Sequence, residues 1–412
     1  MDASALVALP VNAPGVVAAY LQYDLVWLAR QLVIFGVPLV YFFTGLSAKF
    51  RDRVNVWTSG VYQFTVILYA LLGVLSVTVI SLPLSYWLDF VLQPVEAHPT
   101  ITSWLFSQLL VVVQVTLYVI GVGLVLPFLT LLSRTRWWVI VAVFAVPVLA
   151  FNISREVNIP PQPGARYIAI DSAPVAGLLK RCSVRNIPVF IGGEITGIDG
   201  SGADARILLA ADDAAILSDA QFIAKIAQSL KPDLTSDTLV AIAAASLLVS
   251  AGVYLLYVTA TAVMRRMGPR LRAKGVENLS AIPLLAGLAG LYWTFIGGPA
   301  LGALQRGAAL DADRFALEMT QANNAVAAMH AARSIEDSSR LVDHTFLHTH
   351  LRAREPSDVE RVELANTYKP WAEGQTGKYA DLCKPGPPAP QPVRRERATP
   401  PPEPPPEPEE TK

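Results

Sequence analysis

Charge is scarce in this chain. Of its 412 residues, 16% are charged and 53% are hydrophobic, and the mean hydropathy is +0.42. A soluble domain carries nearer a quarter of its residues as charge, so a fold exposed to water on all sides is excluded. The 33 basic and 33 acidic residues cancel. That removes the basic footprint of a nucleic-acid binder, and no nucleic-acid partner is expected. Cysteine is nearly absent, with only Cys182 and Cys383. Two cannot frame a disulfide scaffold. They can pair only on an oxidising side of a membrane, and the plainer reading is two separate thiols. Histidine is also rare: His98, His330, His344, His348 and His350. None is followed by Glu, so the zinc-binding helix motif H-E-x-x-H occurs nowhere. The first twenty residues lack a basic stretch and carry Asp2, Pro10 and Pro14, so they do not read as a cleaved signal peptide.

What the chain has in quantity is long apolar runs. Six are candidates to span a bilayer, which takes about 20 residues: 26–46, 61–84, 104–132, 137–152, 238–263 and 280–304. They are apolar all round, which excludes helices lying on a surface. Arg30 falls near the start of the first, where its side chain can reach the headgroups. The lipid bilayer is therefore an expected partner. Loop one holds Lys49, Arg51 and Arg53, loop three Arg134 and Arg136, and loop five Arg265, Arg266, Arg270, Arg272 and Lys274. Loop two, 85–103, has no Lys or Arg. The positive-inside rule then puts loops one, three and five in the cytoplasm and the non-membrane pieces outside. Trp104, Trp137 and Trp138 read as interfacial anchors.

The expected organisation is an N-terminal segment (1–25), four transmembrane helices (26–152), a soluble α+β piece (153–237), two more transmembrane helices (238–304), a helical second soluble piece (305–385) and a proline-rich disordered tail (386–412). In the first soluble piece, ARYIAID, NIPVFIGG and ARILLAA read as strands. VAGLLKRCSV reads as a short helix, and SDAQFIAKIAQSL as a longer one capped by Ser218. Ala308 to Ser334 and Ser357 to Tyr368 read as helices of the second piece. Spans five and six separate the two pieces, which pack into one domain at the membrane face.

GALQRGAALDADRFALEMT, Gly302 to Thr320, leaves the last span and brings acidic residues onto a helix. FFTGLSAKFRD, PLSYWLDFVL, ADRFALEMT and THLRAREPSDVERVELANTYKPW follow one another in order. This series resembles the type I CAAX prenyl protease family of membrane zinc metalloproteases, its bacterial members in particular, over roughly 25–380. The resemblance implies a mainly α, polytopic membrane protein with about six transmembrane helices and a small α+β gluzincin-like domain at the membrane face. It also implies a bacterial inner-membrane location. The family's catalytic domain suggests the cytoplasmic side, against the charge count, and the charge count is preferred here.

The family binds zinc through H-E-x-x-H and a Glu from a later E-x-x-A-D helix, whose Asp orients a ligand histidine. Aligned through LSDAQFIAKIAQSLKP, the first histidine position is Gln228, the glutamate position Ser229 and the second histidine position Pro232. The later glutamate position is Ala309, and only the aspartate is kept, as Asp313. Pro232 is expected to end its helix. The family's substrate-pairing edge strand falls on Ile195-Thr196-Gly197, where a glycine-rich turn is expected instead. The resulting expectation is a protein without zinc that is not an enzyme, acting as a binding or structural subunit of a membrane-protein assembly. Two other readings stay open. His344, His348 and His350 in DHTFLHTH could form a relocated zinc site of an active protease, since His344 and His348 share a helix face. Alternatively, the helices could enclose a chamber for a lipidated or apolar ligand. Gly298 with Gly302, and Ala286 with Gly290, have the small-xxx-small spacing of close helix packing.

Overall fold

The computed structural model describes residues 6–92, 99–133, 135–157, 162, 164–170, 173–182, 187–193, 196–199, 206–211, 217–235, 237–269, 275–336 and 341–384. The proline-rich tail, Arg134, Ile195, the basic run 270–274, and His98 in loop two lie outside them.

The chain is mainly helical. Helix α1 (Val16–Phe43) is followed by α2 (Leu46–Trp57), α3 (Tyr62–Tyr86), α4 (Ile101–Leu132) and α5 (Trp137–Val157). Helix α3 runs on as a π-helical turn, Trp87–Leu92. After the small domain's first half come α8 (Asp237–Met267), α9 (Ile282–Tyr292), a second π-helical turn (Trp293–Gly297) and α10 (Gly298–Thr320). Five helices are long and apolar enough to cross a membrane, and Trp137–Phe151 is a shorter apolar helix among the described residues. The six apolar runs thus correspond to five long helices and one short one.

The boundaries differ from the sequence reading. Helix α1 begins at Val16, not near 26, because its start is held by the small domain. Asn366 Nδ2 donates to the Val7 carbonyl at 2.8 Å, and Asn12 Oδ1 accepts from Val342 N at 2.8 Å. The 304/305 boundary falls inside α10, which carries the chain from the membrane into the domain without a break. Trp104 and Trp137 are 7% and 3% exposed, so they do not sit as interfacial anchors. Trp104 Nε1 donates to Asp89 at 2.7 Å, and Trp137 packs edge-on against Tyr257. An indole buried between helices fills volume that a headgroup-facing indole would leave open.

The small domain holds a four-stranded sheet in the order β1-β2-β4-β3: β1 (Ile168–Ile170), β2 (Val189–Ile191), β3 (Gly197–Asp199) and β4 (Arg206–Leu209). The β2–β4 pair is parallel and the others antiparallel. The turn expected at 195–197 is corrected at Gly197, which opens β3, while Ile195 lies outside the described residues. Gly197 pairs with Leu208, and Asp199 pairs with Arg206 in register and as an ion pair. The backbone groups of buried β4 require partners on both sides, and that demand outweighs the weak strand propensity of glycine.

Helices α6 (Ala173–Arg181), α7 (Asp219–Leu234), α11 (Asn323–Glu336), α12 (Phe346–Leu351) and α13 (Asp358–Thr367) complete the domain. Ser218 and Gln221 form a full capping box on α7. Pro232 does not end that helix, which reaches Leu234. In the last turn the ring costs little, because the Thr235 N–H still closes onto the Lys231 carbonyl. The helix expected from Ala308 to Ser334 is two helices, α10 and α11, divided at Gln321, which is left-handed at φ 49°. Asn323 fixes the break by donating to the Ala365 and Tyr368 carbonyls at 2.6 and 3.0 Å.

The domain core joins residues from both sides of the membrane-helix pair α8–α9: Leu178, Ile207 and Leu230 from the first half, and Phe315, Val326 and Val362 from the second. Cys182 and Cys383 are joined by a disulfide across these halves. The reading of two separate thiols is corrected accordingly. The halves are distant in sequence, and only their packing brings the sulfurs together.

Candidate functional site

Three places collect the residues that the sequence pointed to. The first is the crossing of α7 and α10. Gln228 Nε2 donates to Asp313 Oδ1 at 2.7 Å. Asp313 is 2% exposed, and its other neighbours are His330 Nε2 at 3.6 Å and Arg361 Nε at 3.5 Å. The resemblance gives this aspartate the task of orienting a ligand histidine, and here it holds the Gln228 amide. The donor set does not fit zinc: Ser229 bonds to the Lys225 carbonyl at 3.2 Å, and Pro232 and Ala309 offer no ligand atom.

One turn away on the same helices lies an ionic network that the sequence reading missed. Lys231, 1% exposed, pairs with Asp237 and, at 3.0 Å, with Asp311. Lys378 Nζ reaches Asp311 at 2.6 Å. Seven positions along α10, Glu318 is 4% exposed and accepts from Tyr368 Oη at 2.5 Å and from the Lys378 and Tyr379 N–H groups at 2.8 Å. Burial, then the bond to Glu318 and its charge, pushes the Tyr368 phenol up to about 12. Burial and the neighbouring Asp311 raise Tyr379 as well. The helical spacing of Asp311 and Glu318 was the available signal; their basic and phenolic partners come from 378–379 and α13. The network ties residues 378–379 to α10 and, among the described residues, supplies no unpaired acid or base.

The second place is the start of α12. The His344 and His348 rings lie 4.9 Å apart, centre to centre. His350 turns away, its Nδ1 2.9 Å from the Phe346 carbonyl. His348 Nδ1 lies 3.3 Å from Asp24, a carboxylate of α1 that is 1% exposed and accepts from Arg352 at 2.8 Å. Arg352 stacks 4.4 Å over Tyr23. The signal for Asp24 was a carboxylate entering an apolar helix. Among the described residues no three His, Cys, Asp or Glu side chains converge as a metal site.

The third place is a chamber of about 1180 Å³ between α1, α2, α3, α4 and α9. Ile34, Phe35, Leu72, Val111, Val115 and Val119 are among its walls, and Ala286 lines it too. Lys49, Asp52 and Arg53 stand at one end and Arg30 toward the other. Arg30 does not run to the headgroups as the sequence suggested. It turns inward, donating from Nε to Ser85 Oγ at 2.7 Å. The small residues take different neighbours. A Cβ on Gly290 would lie 1.9 Å from Phe35 of α1, one on Gly302 would lie 2.9 Å from the Ala353 carbonyl, and one on Gly298 would lie 2.9 Å from the Trp293 carbonyl of its own helix.

At the level of the fold, these elements define a polytopic membrane protein with the architecture of the CAAX prenyl proteases. One solved structure that supports this is Ste24p of S. mikatae, a zinc metalloprotease, with a TM-score of 0.54 at 14% identity, covering 81% of this chain and 83% of that chain. No protein-family profile and no curated protein matches the chain. The expectation that the protein is not an enzyme is corrected by this likeness. The shared scaffold is that of a protease, and the side chains present at one crossing do not establish inactivity.

Proposed function

We propose that the protein binds an apolar or lipidated ligand in the membrane chamber between α1, α2, α3, α4 and α9, and that its small domain lies on the extracytoplasmic face of a bacterial inner membrane. The observation that carries the reading is the chamber itself, its apolar walls broken by a few polar groups. Two independent features support the orientation. Lys49, Arg51 and Arg53 lie on α2, the short helix that follows α1, at the end away from the small domain. The Cys182–Cys383 disulfide belongs to an oxidising compartment.

The test uses the full chain purified in mild detergent, with extracted lipid counted by mass spectrometry. Gly73 lines the chamber, and a Cβ built there meets nothing within 4 Å. Gly73→Phe should therefore project its ring into the chamber and remove the co-purifying lipid. Equal lipid in the wild type and the variant would refute the chamber as its site.

A second reading is favoured by the fold shared with Ste24p together with the facing His344 and His348 rings. In it, these histidines bind zinc for peptide hydrolysis beside Asp24. Stoichiometric zinc that is lost in the His344→Ala/His348→Ala variant supports this reading, and zinc retained by that variant ends it.

A further inference from the structure

Among the described residues, Arg30 is the cation that lines the chamber away from its Lys49 mouth. Lys49 and Arg53 are exposed to solvent at the opposite end, and Asp52 there is bonded to Arg51 at 2.9 Å. From Arg30 to Phe43, the last residue of α1, the helix rises about 20 Å, so Arg30 stands well away from that mouth. Its Nε is taken by Ser85. Among the described residues, its two terminal nitrogens make no hydrogen bond or ion pair. Gln108 of α4 lines the same chamber, and its amide N–H2 donates no bond among the described residues.

A guanidinium facing an apolar space without a counter-ion is costly. The cost is relieved if the ligand brings the anion. A planar guanidinium whose Nη1–Nη2 edge is free fits a carboxylate or phosphate, which it holds by paired hydrogen bonds. The walls leading away from it, Ile34, Leu72, Val115 and Val119, are apolar and offer a hydrated small anion nothing.

We propose that Arg30 anchors the acidic head of an amphiphile drawn from the bilayer, with Gln108 beside the head and the tail lying along the apolar walls. This rests on the chamber being a ligand site and adds the ligand's charge and direction. The carboxylate or phosphate head lies toward the small domain, and the tail points toward the Lys49 mouth.

The experiment places the full chain in nanodiscs of neutral phosphatidylcholine and titrates it with cis-parinaric acid and with its methyl ester. The two share a tail and differ only in the head charge. The wild type should prefer the acid by about tenfold, the scale of one charged hydrogen-bond pair. Arg30→Gln should erase the preference by weakening the acid alone, with unchanged ester binding reporting an intact chamber. Arg30→Lys should keep part of it, and Lys49→Gln/Arg53→Gln should keep all of it. A preference that survives Arg30→Gln, or that is lost in the Lys49/Arg53 variant, overturns the proposal. So does displacement of the acid by inorganic phosphate alone, which would mark a site for free anions. If the ester binds as well as the acid, the chamber reading stands and the Arg30 anchor falls. If neither probe binds the wild type, both fall.

Discussion

Gln228 and Asp313 are joined by a 2.7 Å hydrogen bond across the crossing of α7 and α10. The aspartate is buried, and its hydrogen-bond partner is an amide. Arg361, whose side chain is 11% exposed, faces the other carboxylate oxygen at 3.5 Å. The crossing is thereby held by charge and hydrogen bonding between elements that come from both halves of the domain.

Asp313→Asn preserves shape and removes the charge opposite Arg361. It should cost about 3 kcal/mol, because a buried partner is left unpaired. Gln228→Ala removes one bond to a charged group and should cost about 2 kcal/mol. Denaturant titration of the detergent-solubilised protein measures both. If the two variants unfold with the wild type, the pair has no structural part.

The disulfide closes 201 residues of sequence. Cys383→Ser should lower stability by up to about 5 kcal/mol on the loop-entropy scale. In intact cells, a membrane-impermeant reductant followed by an impermeant maleimide should label both cysteines. Labelling that appears only after lysis would place the domain in the cytoplasm.

Tyr368 should titrate near 12 instead of 10, followed by phenolate absorbance. A folded pKa above the unfolded one favours the native state at low pH. Its contribution is full below about 10 and is lost as pH rises toward 12. Glu318→Gln removes the raising carboxylate and should bring the titration down. A Tyr368 titration that is the same in that variant would exclude Glu318 as a cause.

Gly290 gives α9 its close approach to α1. A methyl added there meets the Phe35 ring at 1.9 Å, so Gly290→Ala should destabilise by about 1–3 kcal/mol. Phe35→Ala in the same chain should recover part of the loss. Thermal unfolding of the single and double variants tests this, and additive losses would contradict a direct clash.

Much of the architecture was legible in the residues themselves. A run of twenty apolar residues has few alternatives to a membrane helix, because backbone groups in lipid must bond within the segment. The strands at 168–170, 189–191 and 206–209 and the Ser218 cap also follow from local pattern. The absence of H-E-x-x-H from the chain also needed only the order of its residues. What depended on distant packing was not legible. Gly197–Asp199 becomes a strand because β4 needs an edge partner, Cys182 meets Cys383 through the joined halves, and Arg30 turns inward because Ser85 stands beside it. Asp24 and His348 are 324 positions apart and in contact. Local sequence determines which groups each element carries, since periodicity and capping act within a few residues. Only the tertiary structure decides which groups on different elements meet, because burial removes water as the alternative partner and leaves each polar atom to find one in the chain.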